Sequence, residues 1–257
     1  MMKKYLLDFL VIENLKLNDK SFLLRLAYEG ILPEILPGQF VEIRVDNSNM
    51  VFLRRPVSVH DVDYQNNELS LLIQVVGQGT RKLSELKVGD TLNIIVPLGN
   101  SFTFPSEKQK ELFLIGGGVG IAPLLYLGRI LCDKKYKVNF LLGGKTKQEL
   151  VRLASFEKYG KVYLTTEDGS TGEKGFVTQH SVLTKHKIDK IYTCGPTPMM
   201  KAVANYAQKN NIDCEASLEN KMACGIGACL CCVTETKEGH KCVCSEGPVF
   251  NTNDLKW

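Results

Sequence analysis

The chain has 257 residues, 44% of them hydrophobic and 23% charged, and a formal net charge of +4. That length accommodates two domains, or two plus an appendage, and the composition is that of an ordinary folded globular chain. There is no long basic run and no basic strip studded with aromatics, which argues against nucleic acid as a partner.

The first segment, MMKKYLLDFLVIENLKL, sets two lysines ahead of an apolar stretch, as a secretory leader would. Asp8 interrupts that stretch and no small-residue cleavage site follows. Apolar and polar positions roughly alternate instead, which predicts a first β-strand and a cytoplasmic protein. Segments 21–28, 39–45, 56–62, 68–76 and 91–99 read as further short strands, separated by turn residues such as PGQ, QNN and VGD. With one short helical piece at 80–86, residues 1–104 are expected to close into an antiparallel β-barrel.

From Glu111 the rhythm changes. LFLIGG is followed by a helix opening after Pro123, KVNFLLGG by a helical segment over 147–160, KVYLTTEDGS by a further segment, and KIYTCGP by a helix over 197–210. Strands alternating with helices predict βαβ units on a parallel sheet, giving an α/β domain over residues 105–211. The longest uncharged run, Leu112–Gly128, is shorter than the about 20 apolar residues of a membrane helix and is broken by glycines and a proline, so no span is expected. Residues 212–257 form a cysteine-rich segment with few apolar residues. Segments of about 40 residues usually need a staple or a metal to fold.

Six of the nine cysteines fall in 223–250. Disulfides suit secreted chains, and zinc favours two paired C-x2-C or C-x4-C units. Here Cys224, Cys229 and Cys232 are spaced x4 and x2, with a distant fourth thiol at Cys244, which is the plant-type [2Fe–2S] spacing. Gly225 and Gly227 let backbone approach such a cluster and aim N–H groups at its sulfurs. Cys231 breaks the spacing; Cys242 is compatible with it. Cys132, Cys194 and Cys214 read as small buried apolar residues.

LIGGGVGIAPL lies between a strand and a helix, where backbone amides hold a pyrophosphate. Gly116 and Gly118 fit G-x-G-x-x-G, but Ile121 takes the last glycine position and no acid ends the next strand. A tight packing turn is the competing reading. Lys145, Glu167 and Asp168 sit on loops after sheet strands, as nucleotide contacts or as solvated charges. His60, His180, His186 and His240 show no pairing that suggests catalysis.

RRPVSV (54–59), GQGT (77–80), GGGVGIAP (116–123) and CGPTPMM (194–200) occur in the order found in the ferredoxin–NADP reductase superfamily. With MACGIGACLCCV and CVCSEGPVF added, the chain resembles, over residues 1–257, the electron-transfer subunits of NAD-linked (B-type) dihydroorotate dehydrogenases. The resemblance implies a barrel that binds FAD, an α/β domain that binds NAD and a C-terminal [2Fe–2S] loop. By position, Arg55, Pro56, Val57 and Ser58 match the flavin motif, in which tyrosine is frequent where Val57 stands. Leu72, Ile73 and Gln74 match a second flavin strand, and Gly79 and Thr80 a phosphate-facing turn. Gly116, Gly117, Gly118 and Gly120 match the nucleotide loop, and Cys194, Gly195 and Pro196 the nicotinamide loop. Cys224, Cys229, Cys232 and Cys244 match the four cluster ligands, whereas Cys231 stands where glycine is commoner. Arg55 would offer the FAD pyrophosphate a bidentate cation, against the plainer reading of a surface salt bridge.

The resemblance further implies a partner subunit, with FMN, that oxidises dihydroorotate to orotate, in a heterotetramer of two such pairs. Once the three segments are assigned, no residues remain for an organic-substrate pocket, so no catalytic residue is expected in this chain. The rivals are a related subunit of an NAD(P)H:ferredoxin oxidoreductase or sulfide dehydrogenase, which commonly has aspartate where Cys224 stands, and a non-enzymatic regulator, for which the flavin motif would be lost.

Overall fold

In the computed structural model, residues 3–46 and 48–257 are described; Met1 and Met2, at the head of the expected first strand, lie outside the described residues. Strands β1 (Tyr5–Lys16), β2 (Ser21–Ala27), β3 (Phe40–Ile43), β4 (Arg55–Asp63), β5 (Glu68–Gln74) and β6 (Thr91–Leu98) close an antiparallel barrel in the order β1-β2-β5-β4-β3-β6. Alternation puts Phe9 and Val11 of β1, Leu24 and Leu26 of β2 and Leu69 and Leu71 of β5 into one interior core. Helix α1 (Gln78–Ser84) follows β5.

A second sheet uses β7 (Glu111–Gly117), β8 (Lys137–Gly144), β9 (Lys161–Thr166), β10 (Glu173–Lys174), β11 (Lys190–Cys194), β12 (Asp213–Ser217) and β15 (Val249–Asn251), in the order β10-β9-β8-β7-β11-β12-β15. Every pairing is parallel except that of β15 with β12. Both faces are covered, so β7 is apolar at successive positions. Leu112 and Leu114 pack with α2 (Ala122–Asp133) and α3 (Leu153–Glu157), while Phe113 and Ile115 pack with α4 (Val182–Lys185) and α5 (Thr197–Lys209). The remaining strands, β13 (Val233–Thr236) and β14 (Gly239–Cys242), form a hairpin.

Two features differ from the sequence reading. The single helix expected over 147–160 is a 3-10 turn, Lys147–Glu149, and the short α3, separated by Arg152 at φ +61°. Leu150 and Phe156 are both buried, and a continuous helix would aim residues six apart roughly 120° from one another. The parallel sheet also runs past residue 211, since β12 extends it and β15 returns to its edge.

The two domains meet along α2. His60 on β4 donates from Nδ1 to the Ala122 carbonyl (2.8 Å), Tyr126 donates to the Ile35 carbonyl (2.9 Å), and Arg129 bonds Asp61 and the Val62 carbonyl. Among the described residues no helix is long and apolar enough to cross a membrane.

Candidate functional site

The first cavity, of about 330 Å³, opens on the barrel. Pro56, Val57, Ser58, Leu72, Ile73, Gln74 and Thr80 line it, so seven of the nine predicted flavin residues face one space. The other two stack just outside: Gly79 lies so close to Arg55 that a Cβ there would sit 2.4 Å from its Nε. That Nε is buried without a hydrogen-bond partner, so the surface salt bridge of the plainer reading is absent at this atom. A buried, unsatisfied guanidinium N–H beside an open cavity suits an anionic ligand. The Thr80 hydroxyl accepts the N–H groups of Val76 and Gly77 (2.9 and 3.2 Å) and so fixes the turn into α1.

The second cavity, of about 440 Å³, lies at the carboxyl ends of β7, β8 and β9, where open α/β sheets take their ligands. Gly117, Gly118 and Pro196 line it; Gly116, Gly120, Cys194 and Gly195 do not. Gly118, at φ +56°, has open space where a side chain would be. Gly120 is the opposite case: a Cβ would meet Gly195 Cα at 2.4 Å and the Cys194 carbonyl oxygen at 2.6 Å. The glycine turn is thus both cradle and packing turn, at different residues. Lys145 and Glu167 reach this cavity, whereas Asp168 is turned onto Ser170, whose N–H and hydroxyl it accepts. None of the four histidines lines either cavity.

Sequence reasoning missed Glu149. Its side chain lines the second cavity, and its carboxylate accepts the Lys145 N–H at 2.9 Å. The 3-10 turn after β8 folds it back over Gly144, so an acid stands near the strand end although none ends the strand in sequence.

The two cavities share a wall. Gly117 and Gly118 face the second, and Val119 and Ala122 of the same turn face the first. The far side of the first cavity is lined by 218–222, which lead directly to Cys224.

Beyond that point the thiols lie in two contacting sets. Cys224 contacts Cys229, and Cys232 contacts Cys244, whose N–H also donates to Cys232 Sγ at 3.3 Å. Ile226 N–H donates to Cys224 Sγ (3.4 Å) and Gly227 N–H to Cys244 Sγ (3.1 Å). Gly225 and Gly227 have positive φ, and a Cβ on Gly225 would strike the Glu42 side chain. Desolvation raises the Cys224 thiol, but N–H groups of Ile226, Cys229 and Ala228 and the Cys229 thiol outweigh it and bring Cys224 down to about 6. Burial, then the Cys232 thiol, pushes Cys244 up to about 12. Thiolate-directed N–H groups and two sulfur pairs fit a two-iron group. Glu42 lies buried beneath this loop with neither carboxylate oxygen bonded, and burial, opposed by Arg54 and Arg55, lifts it to about 7.

Comparison with known proteins agrees segment by segment. Residues 9–103 match an oxidoreductase FAD-binding domain, 114–205 an oxidoreductase NAD-binding domain, and 219–256 the iron-sulfur cluster binding domain of dihydroorotate dehydrogenase B. The dihydroorotate dehydrogenase B (NAD(+)) electron transfer subunit of Caldanaerobacter subterraneus subsp. tengcongensis is 42% identical over 93% of this chain and 94% of its own. That of Clostridium acetobutylicum is 40% identical over 99% of this chain and 98% of its own. Among solved structures, that of the NADH-dependent reduced ferredoxin-NADP oxidoreductase aligns with a TM-score of 0.84 at 30% identity, covering 100% of this chain and 92% of that one. Phthalate dioxygenase reductase, at 16% identity and a TM-score of 0.68, shares the fold. With near-complete, two-way coverage by such relatives and a matched cluster domain at the thiol loop, the chain belongs to the family of dihydroorotate dehydrogenase B (NAD(+)) electron transfer subunits.

Proposed function

We propose that this chain carries electrons from a dihydroorotate-oxidising partner subunit to NAD+, and that the partner holds FMN and joins it in a heterotetramer of two pairs. The observation that carries this reading is the unbroken series of thiol loop, segment 218–222, first cavity, glycine turn and second cavity. When bound, FAD exchanges a hydride with NAD and single electrons with a [2Fe–2S] cluster, which is why the three groups belong in that order.

The chain's own residues position and insulate. Arg55 supplies the cation for the FAD pyrophosphate, with Gly79 leaving room for it. Ser58 and Gln74 offer polar atoms to the flavin edge, while Val57, Leu72 and Ile73 exclude water from its faces. Gly117 and Gly118 bring backbone to the dinucleotide phosphates, and Pro196 closes over the nicotinamide end. Glu149 accepts the ribose hydroxyls and disfavours a 2′-phosphate by charge, giving NAD preference over NADP. Cys224 and Cys229 would hold one iron of the cluster, and Cys232 and Cys244 the other. All nine cysteines are free thiols, in keeping with a reducing cytoplasm.

Anaerobic purification with flavin, iron and acid-labile sulfide assays, plus EPR of the reduced protein, tests the reading. FAD with about two irons and two sulfides per chain is expected, with the signal lost in Cys224→Ala. Zinc without sulfide, or a chain that binds no flavin, overturns it.

A further inference from the structure

The thiol loop holds one more buried sulfur than a four-ligand cluster uses. Cys242 ends β14 opposite Val233, the residue after Cys232. It is 7% exposed, between Cys232 at 2% and Cys244 at 1%. Its thiol contacts that of Cys232, on which the Cys244 thiol also bears. The backbone around it is tied down: Cys242 N–H donates to Glu246 Oε2 (2.7 Å), Glu246 N–H returns to the Cys242 carbonyl (2.8 Å), and Val243 N–H donates to the Cys232 carbonyl (3.2 Å). Cys232, Cys242 and Cys244 pack together in one buried cluster, so Cys242 stands beside the two thiols whose iron it would share.

The other half of the loop has no such spare. Cys231 is exposed, follows Leu230 at φ +57°, and turns its thiol to the Lys221 carbonyl at 3.6 Å. Cys224 is partly exposed and Cys229 exposed, and the thiol against Cys224 is that of Cys229.

We propose that Cys242 is a reserve ligand for the inner iron, taking the place of Cys244 or Cys232 when either is lost, so that the inner half of the cluster tolerates loss of a ligand and the outer half does not. This rests on the reading of the four thiols as cluster ligands. On substitution, the iron–sulfur bond to the missing residue is replaced by one to Cys242 Sγ, and the Cys242 thiol proton leaves to solvent; no electron is transferred in the exchange.

The test compares full-length variants purified anaerobically, scored as iron and sulfide per bound FAD and by EPR g values. Cys244→Ala is expected to keep iron per flavin within about twofold of wild type, with shifted g values, and Cys242→Ala/Cys244→Ala to fall at least about tenfold. Cys229→Ala should be as empty as that double variant, and Cys242→Ala alone should match wild type in iron and g values. Bound flavin reports folding; if Cys244→Ala loses flavin, Cys232→Ala, beside the same thiol, decides in its place. Cys244→Ala as empty as the double variant, or Cys242→Ala empty by itself, overturns the proposal. Wild type with flavin but no sulfide instead overturns the cluster reading beneath it.

Discussion

Substituting Gly120 by alanine probes the wall between the two cavities. The added Cβ would stand 2.4 Å from Gly195 Cα and 2.6 Å from both the Cys194 oxygen and the Gly195 nitrogen. Ordinary contact begins at 3.4 Å, so the two backbones must part by roughly 1 Å, an overpacking cost of about 1–3 kcal/mol. Neither side yields easily: all three atoms are main chain at the end of β11, which is paired on both edges by β7 and β12. The displacement moves Pro196 and Met199 away from Gly117 and Gly118 across the second cavity. A reacting geometry misplaced by about 1 Å loses on the order of 100-fold in rate. In stopped flow, flavin reduction by NADH should therefore slow about 100-fold in Gly120→Ala, while FAD and iron content stay at wild-type levels. Gly118→Ala is the matched control, with positive φ but nothing within 4 Å of the new Cβ. Its cost is the left-handed backbone alone, about 1–2 kcal/mol, and its rate should fall by about tenfold or less. Wild-type flavin reduction in Gly120→Ala, or equal damage from both, would refute the shared-wall argument.

Three further predictions concern ionisable side chains. Glu149→Gln should lower kcat/KM for NADH about tenfold, through a weakened ribose bond, and leave that for NADPH unchanged or higher; steady-state assays with both coenzymes check it, and an unmoved ratio removes Glu149 from recognition. Lys190, buried at 4% side-chain exposure, meets Asp213 and Glu215 at 3.0 Å each and Thr103 at 2.8 Å. Lys190→Met should cost about 3–5 kcal/mol in denaturant unfolding by stranding Glu215, and adding Glu215→Leu should recover part of it. His60, pulled by burial from 6.5 to about 4, is neutral in the folded chain and protonates on unfolding below 6.5. Its contribution is full above pH 6.5 and fades as pH falls towards 4, so between pH 6.5 and 5.5 wild type should lose about 1 kcal/mol more than His60→Gln; parallel losses in the two proteins would show that another group titrates.

The barrel, the sheet and the thiol spacing are legible in the sequence because each rests on a local period or a fixed interval. Alternation in β1 to β6 survives because one barrel face is core, and the apolar run in β7 survives because both faces are. What escapes is set by non-local contacts. Glu149 lies five residues past the end of β8 and reaches the cavity only through a 3-10 turn; the visible signal would have been an acid soon after a strand that ends in two glycines. Glu42 sits in FVEI, a strand whose alternation would turn a carboxylate outward, yet the thiol loop covers it through Gly225. Gly116 fits a phosphate fingerprint by spacing and Gly120 the nucleotide loop by resemblance, but they are required by Leu124 and by the Gly195 backbone, which no local pattern reveals.

The same distinction explains how the last segment folds at all. Read alone, residues 212–257 have too little apolar surface to stand without a staple. The structure supplies support of another kind: β12 and β15 extend the sheet, and the Gly247 carbonyl accepts the Asn100 N–H beside the barrel. Cys232, Cys242, Val243 and Cys244 share a core with Phe40 and Leu98 of the barrel and Met200 of α5. The inner thiols are thus packed against both domains before any metal is considered, while Cys229 and Leu230 stay at the surface. A loop built this way keeps one half of its sulfurs fixed relative to the first cavity and presents the other half outward, an arrangement suited to a chain that passes electrons between its own cofactor and another protein.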